Sequence, residues 1–155
     1  HRDLHSFPTR RSSDLHHNGI DIVINHSVTI ISPIKGVIMS IEETQNSHST
    51  IQNILFSIVI MVNFKWTVKL VIEPNFPGSD TANNTLQREA IKVSIRQKVD
   101  VGDDIAMLLY SGSYSHLHYM LSQNGKDVCP YLYSSITAKS IFDQISQIDG
   151  DPPCV

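Results

Sequence analysis

Two short patterns hold the residues best suited to metal chemistry. His116-Leu117-His118 lies in an apolar, aromatic run from Tyr114 to Met120. In a strand, residues i and i+2 share a face, so the two imidazoles stand side by side with Leu117 turned away. Each ring brings a polar nitrogen that must find a partner, and neutral imidazole is a good zinc ligand. Near the other end, His17-Asn18-Gly19-Ile20-Asp21 runs straight into Ile22-Val23-Ile24. If this segment is extended, positions i and i+4 also share a face. His17 and Asp21 then converge, and Gly19 between them lets backbone or substrate come close. Two histidines and one carboxylate make three ligands of the type zinc takes, and the fourth position left for water is what marks a catalytic site. The plainer alternative is a solvated loop at His17 and Asp21 and a surface strand at the histidine pair, because H-x-H alone is a weak motif.

The elements that must position these residues read mostly as strands. Ile20 to Ile24, Val28 to Ser32 and Val37 to Glu42 are β-branched-rich runs separated by turn residues. Glu43 to Ser49 reads as a polar loop, with Glu42 and Glu43 at a strand end. Ile54 to Asn63 and Lys65 to Ile72 follow as two long strands, the second placing Trp66, Val68, Leu70 and Ile72 on one face. Pro74 to Asn84, rich in proline and asparagine, reads as a surface loop, and Leu86 to Ala90 as a helical turn. Val93 to Val99 and Asp104 to Tyr110 are expected to form a hairpin about Gly102, with His116 to Leu121 as the histidine-bearing strand. Ser134 or Ser135 is placed to cap a helix carrying Ile136, Ile141, Phe142 and Ile145, ended by Gly150-Asp151-Pro152-Pro153. The expected class is all-β with a C-terminal helix.

Beyond the two metal-type motifs, three further stretches fall in a familiar order. They are Ile20-Asp21-Ile22 with Val28 to Pro33 and Lys35-Gly36-Val37, then Val99 to Ala106, then Asn124-Gly125-Lys126-Asp127-Val128-Cys129-Pro130-Tyr131. Together, over roughly residues 16–133, they resemble the lysostaphin-type (LytM-like) zinc endopeptidases with the duplicated hybrid motif, bacterial enzymes that cut peptide cross-links in peptidoglycan. The resemblance implies a compact antiparallel β-sandwich or barrel-sandwich hybrid, with one Zn2+ per domain held by His17, Asp21 and His118. His116 then stands beside the metal, placed to hydrogen-bond the attacking water or the oxyanion. It also implies a peptidoglycan peptide or another peptide as substrate and an extracytoplasmic location. The chain departs from the family in one place. Active members carry a further histidine after a central strand, and by strand order Glu73 stands there. A glutamate can serve as general base, or it can be a salt-bridged strand end. A catalytically impaired relative that binds cell wall or regulates a partner hydrolase is the alternative function. A lipoyl- or biotinyl-type carrier is a third, because the Val99 to Ile105 hairpin resembles those small β-barrels, although no lysine is convincingly placed for modification.

Residues 1–15 resemble a translated sequencing adapter and are expected to lie outside the fold, so His1 and His5 drop out as ligands. The genuine chain is then expected to begin near His16 with its start missing. It divides into a peptidase-like domain at 16–133 and a helix and tail at 134–155. Setting aside the three arginines and two aspartates of that stretch moves the formal charge from −3 to −4. A mildly acidic chain without basic clusters argues against nucleic acid as a partner. No apolar run approaches a membrane span; the longest, Ile54 to Val62, suits a buried strand. His16, His26 and His48 read as solvated neighbours or loop residues, and Trp66 as core. Tyr114, Tyr119 and Tyr131 suit either a peptide groove or packing. Cys129 and Cys154 are the only cysteines. One bridge between them is conceivable in an oxidising compartment, and the reading leans to free thiols or leaves the pairing open, since nothing in the sequence establishes their proximity.

Overall fold

The computed structural model describes residues 18–149 and residue 154, so His16, His17 and the stretch 1–15 lie outside the described residues. Strands β1 (Gly19–Val23), β2 (Val28–Ile31), β3 (Gly36–Gln45), β4 (Ile54–Met61) and β5 (Trp66–Glu73) come first. Helix α1 (Thr81–Glu89) follows, then β6 (Lys98–Val99), β7 (Asp104–Leu108), β8 (His116–Gln123) and β9 (Lys126–Val128). A 3-10 turn at Pro130–Tyr133 leads into helix α2 (Ile136–Asp149). The large sheet is antiparallel, ordered β1-β8-β5-β4-β3-β6. Strand β9 takes the length of the β8 edge that β1 leaves open. Strands β2 and β7 form a second, two-stranded sheet.

Alternation decides which face is core. Val68, Leu70 and Ile72 of β5 pack with Phe56, Ile58 and Ile60 of β4, and Ile30, Ile105 and Leu108 of the small sheet close the cluster from the other side. On β8, Leu117, Tyr119 and Leu121 turn the same way. That leaves His116 and His118 on the opposite face, as a period of two requires. The strand-rich class with a C-terminal helix is therefore what the chain forms.

Four local expectations are corrected. The first concerns helix α1, which begins at Thr81, inside the stretch read as loop. The Asp80 carboxylate accepts from Asn83 N at 3.1 Å, and buried Gln87 bridges Met107 O and Leu109 N, tying the helix to the end of β7. Second, Val93 to Val99 is extended only at β6, because Arg96 adopts φ +72° and Gln97 N closes a turn on Ser94 O. Strand β6 then pairs with β3, and β7 with β2, so the hairpin about Gly102 does not form. Third, β3 runs on through Gln45, paired with Ile54, into the stretch read as a polar loop. Fourth, Cys129 and Cys154 are bonded in a disulfide, their Cα atoms 5.4 Å apart, which ties the tail to the residue before the 3-10 turn. At α2, Ser135 is the cap, accepting from Ala138 N at 3.2 Å. Phe142 and Ile145 are half-buried, whereas Ile136 and Ile141 face solvent.

Candidate metal centre

Strand pairing brings the two sequence motifs together. Strand β1 lies antiparallel to β8 with Asp21 directly opposite His118, 97 residues away in the chain. On the other edge of β8, strand β5 sets Val71 opposite His118 and Glu73 opposite His116. Directly opposed residues have Cβ atoms about 5 Å apart, close enough for side-chain contact. The His118 Nδ1–H donates to Asp21 Oδ1 at 2.6 Å. His116 Nε2 lies 3.9 Å from the same oxygen and 3.5 Å from Glu73 Oε1. Asp21, His118, His116 and Glu73 thus form a continuous polar line on one face of the sheet.

Gly19 has a specific part in this. A Cβ at that position would stand 2.3 Å from His118 Cε1 and 2.5 Å from Nε2. The space opened by the glycine in H-x-G-x-D is therefore filled by the imidazole itself, lying over the backbone with Nδ1 turned to Asp21. His116 is fixed differently. Its Nδ1–H donates to Tyr114 O at 3.0 Å, which leaves Nε2 facing the two carboxylates. Burial of this ring, the largest single influence, pulls its pKa down. The hydrogen bond and charge of Glu73, with Asp21 and Tyr114 O, outweigh it and raise the value to about 9. The two carboxylates thus favour the imidazolium form of His116.

Sequence reasoning passed over Ser115, which is fully buried just before His116. Its Oγ donates to Pro74 O at 2.8 Å and accepts from Ser111 N at 3.0 Å, while its carbonyl accepts from Ile24 N. One hydroxyl thereby ties the start of β8 to the residue after Glu73, and the backbone beside it holds the end of β1. No composition signal marks such a serine.

Of the expected zinc ligands, Asp21 and His118 are in contact, and His17 lies outside the described residues. Among the described residues no group of three His, Cys, Asp or Glu side chains is arranged to hold a metal ion. The pair in contact nevertheless suits zinc by donor type. Asp21 and His118 would hold the ion together with the motif's His17, and binding would release the Nδ1 proton of His118. Elsewhere, His26 and His48 are exposed, Tyr114 is exposed beside the site, and Tyr119 turns away from it. An apolar cavity of about 710 Å³, lined by Trp66, Leu117, Tyr119 and Phe142 among others, lies on the opposite face of β8 from the histidines.

No protein-family model matches this chain, and no curated protein matches it by sequence. Among solved structures it is similar to an alanine-to-histidine mutant of the catalytic domain of the prophage-encoded M23 protein EnpA from Enterococcus faecalis. The TM-score is 0.54 at 16% identity, over 79% of this chain and 82% of that one. At that identity the likeness speaks to fold: this chain is built as an M23-type catalytic domain is built.

Proposed function

We propose that this chain is a zinc-dependent metalloendopeptidase domain that hydrolyses peptide cross-links of bacterial peptidoglycan, acting outside the cytoplasm. The observation that carries the reading is the contact between Asp21 and His118 Nδ1, with His116 and Glu73 alongside, in a fold of M23 type. His17, Asp21 and His118 would hold the ion, with His17 supplied by the motif alone. When bound, zinc supplies Lewis-acid polarisation of a scissile carbonyl and acidifies water.

The chain's own residues do the rest. His116, its Nδ1 fixed on Tyr114 O, presents Nε2 to the space beside Asp21, where it can exchange a proton with the attacking water or donate to the developing oxyanion. Glu73 faces that same Nε2 and favours its protonated form. This supports Glu73 as a carboxylate that favours the charged form of His116 from the Nε2 side, while Tyr114 O orients the ring through Nδ1. A second reading draws on Glu73 as well. Because it stands where active members of the resembled family carry histidine, a relative that keeps the metal and binds cell wall without cutting it is the alternative.

The test is metal content at neutral pH together with amide hydrolysis of peptidoglycan with added zinc. The expected result is about one zinc per chain, lost in Asp21→Ala and His118→Ala. Hydrolysis should be lost in His116→Ala while the metal is retained. Stoichiometric zinc without hydrolysis would select the second reading. A chain that takes up no zinc would overturn both.

A further inference from the structure

The face that carries the histidines continues across the sheet, and its composition favours one kind of substrate. From β1 to β3 the register aligns Asp21, His118, Val71, Ser57 and Glu42 in one row. Val71 and Ser57 are only 6% exposed, so they form a covered floor. On β5, Lys69 and Glu73 flank Val71 on this same face, because alternate residues of a strand point alike. The side chain at one end of the floor is therefore a cation, and at the other a carboxylate.

Among the described cations Lys69 and Lys139 are half-buried, and Lys139 lies over the Tyr131 ring. Lys35, Arg88 and Lys92 are each paired with a carboxylate, whereas Lys98, Arg96 and Lys126 are exposed. Lys69 is half-buried, lies between Met120 and Val59 across the strands, and among the described residues has no carboxylate within ion-pair distance. A lysine on this face with no carboxylate of the described residues in reach is open to a charge-assisted hydrogen bond with a ligand's carboxylate. We propose that Lys69 is a specificity-determining residue that takes a carboxylate of the peptide substrate about two residues from the bond facing His118. The spacing follows from the strand repeat. Lys69 is two residues along β5 from Val71, which is directly opposite His118, and an extended peptide advances about 3.3 Å per residue. Glu73, two residues beyond Val71 in the other direction, repels a carboxylate at that end, so the substrate's polarity is set as well as its charge. The chemistry is met equally by a free α-carboxylate at a chain end and by an acidic side chain. The inference rests on the peptidase reading for its substrate class, but binding tests it without turnover.

The experiment is calorimetric titration of the full chain, in the presence of zinc, with three peptides of equal length. One is a tetra-alanine with a free carboxylate, the second is its C-terminal amide, and the third is an amidated peptide with glutamate second from its end. The expected result is that a carboxylate-bearing peptide binds about two- to fivefold more tightly than the neutral amide, the range of a partly screened ion pair. The first and third peptides tell the two carboxylate sources apart. Lys69→Ala should erase the preference, Lys69→Arg keep it and Lys69→Glu reverse it, with circular dichroism unchanged. A preference that survives Lys69→Ala, or its absence from the unmodified chain, overturns the proposal. Hydrolysis followed in the same samples separates the two ideas. Cleavage without carboxylate preference removes the role of Lys69 and keeps the peptidase, and Lys69-dependent binding without cleavage does the reverse. Failure to bind any of the three peptides overturns the proposal too.

Discussion

Replacing Gly19 by alanine tests the site through a single methyl group. The new Cβ would lie 2.3 Å from His118 Cε1 and 2.5 Å from Nε2, against ordinary carbon contacts of about 3.5–4.0 Å. The backbone at 19 is not in the left-handed region, so alanine fits it without strain and the conflict falls on the ring. The imidazole must withdraw by more than about 1 Å, a shift on the scale of the 2.6 Å contact it makes with Asp21. Losing a hydrogen bond to a charged group costs about 1.5–3 kcal/mol. Holding the ring off its rotamer costs about 0.5–1.5 kcal/mol more if the bond is kept instead. Carried into metal binding, the first route corresponds to a loss of about 10- to 100-fold in zinc affinity and the second to about 2- to 10-fold.

The assay is competition with a chromophoric chelator, and the control is a double-mutant cycle with His118→Ala. With the ring gone, alanine at 19 meets no imidazole, so the two substitutions must be strongly non-additive. Zinc affinity unchanged in Gly19→Ala, or additive effects in the cycle, would refute the claim that the glycine exists for the ring. A metal-free readout is available as well. The Nδ1 proton signal of His118 should be protected in the unmodified chain and lost in Gly19→Ala.

Three other outcomes follow from contacts already described. Ser115→Ala strands Pro74 O and Ser111 N in a buried position and should cost about 2 kcal/mol in urea unfolding; a loss below about 0.5 kcal/mol would show the strut to be idle. Reducing the Cys129–Cys154 bond, which closes a separation of 25 residues, should lower stability by up to about 3 kcal/mol, and an unchanged denaturation midpoint would mean that the tail adds nothing. Glu43 is held below its ordinary 4.5 by hydrogen bonding and charge from Arg88, so the pair's contribution is complete above that value and is lost as pH falls through the lowered one. The gap in midpoint between the unmodified chain and Glu43→Gln should accordingly be present at pH 7 and close on acidification; a gap independent of pH would assign the effect to packing.

Some of this was legible in the sequence because strands write their faces in alternation. The outward histidines, the inward Val68, Leu70 and Ile72, and the serine cap of α2 are all local facts. Partnership across the chain is not local, and no periodicity says that Asp21 meets His118 or that β6 leaves β7 for β3. Helix α1 was obscured by its own start, since Asp80, Asn83 and Asn84 are turn-forming residues, and here Asp80 caps a helix whose first turn holds the two asparagines. Glu73 was found only through its place in a motif, and the contact that gives it meaning, 3.5 Å from His116 Nε2, needed the register of β5 on β8. The disulfide needed the fold outright, because two cysteines declare no distance.

The site depends most of all on that register, because a slip of one residue would turn both imidazoles into the core and Leu117 outward. Strand β8 is held along its full eight residues by β5, clamped before His116 by Ser115, and turned after Gln123 at Asn124-Gly125. Both turn residues have positive φ, +52° and +75°, the geometry of the two-residue hairpin that follows a strand's natural twist. Gly125→Ala should therefore cost about 1 kcal/mol or more by forcing a Cβ into that region. Zinc affinity should nonetheless stay within about twofold, because the ladder to β5 sets the register of His116 and His118 without help from the turn. If stability and zinc affinity fell together in Gly125→Ala, the turn and not the ladder would be what aligns the histidines, and the order of causes argued for this site would have to be reversed.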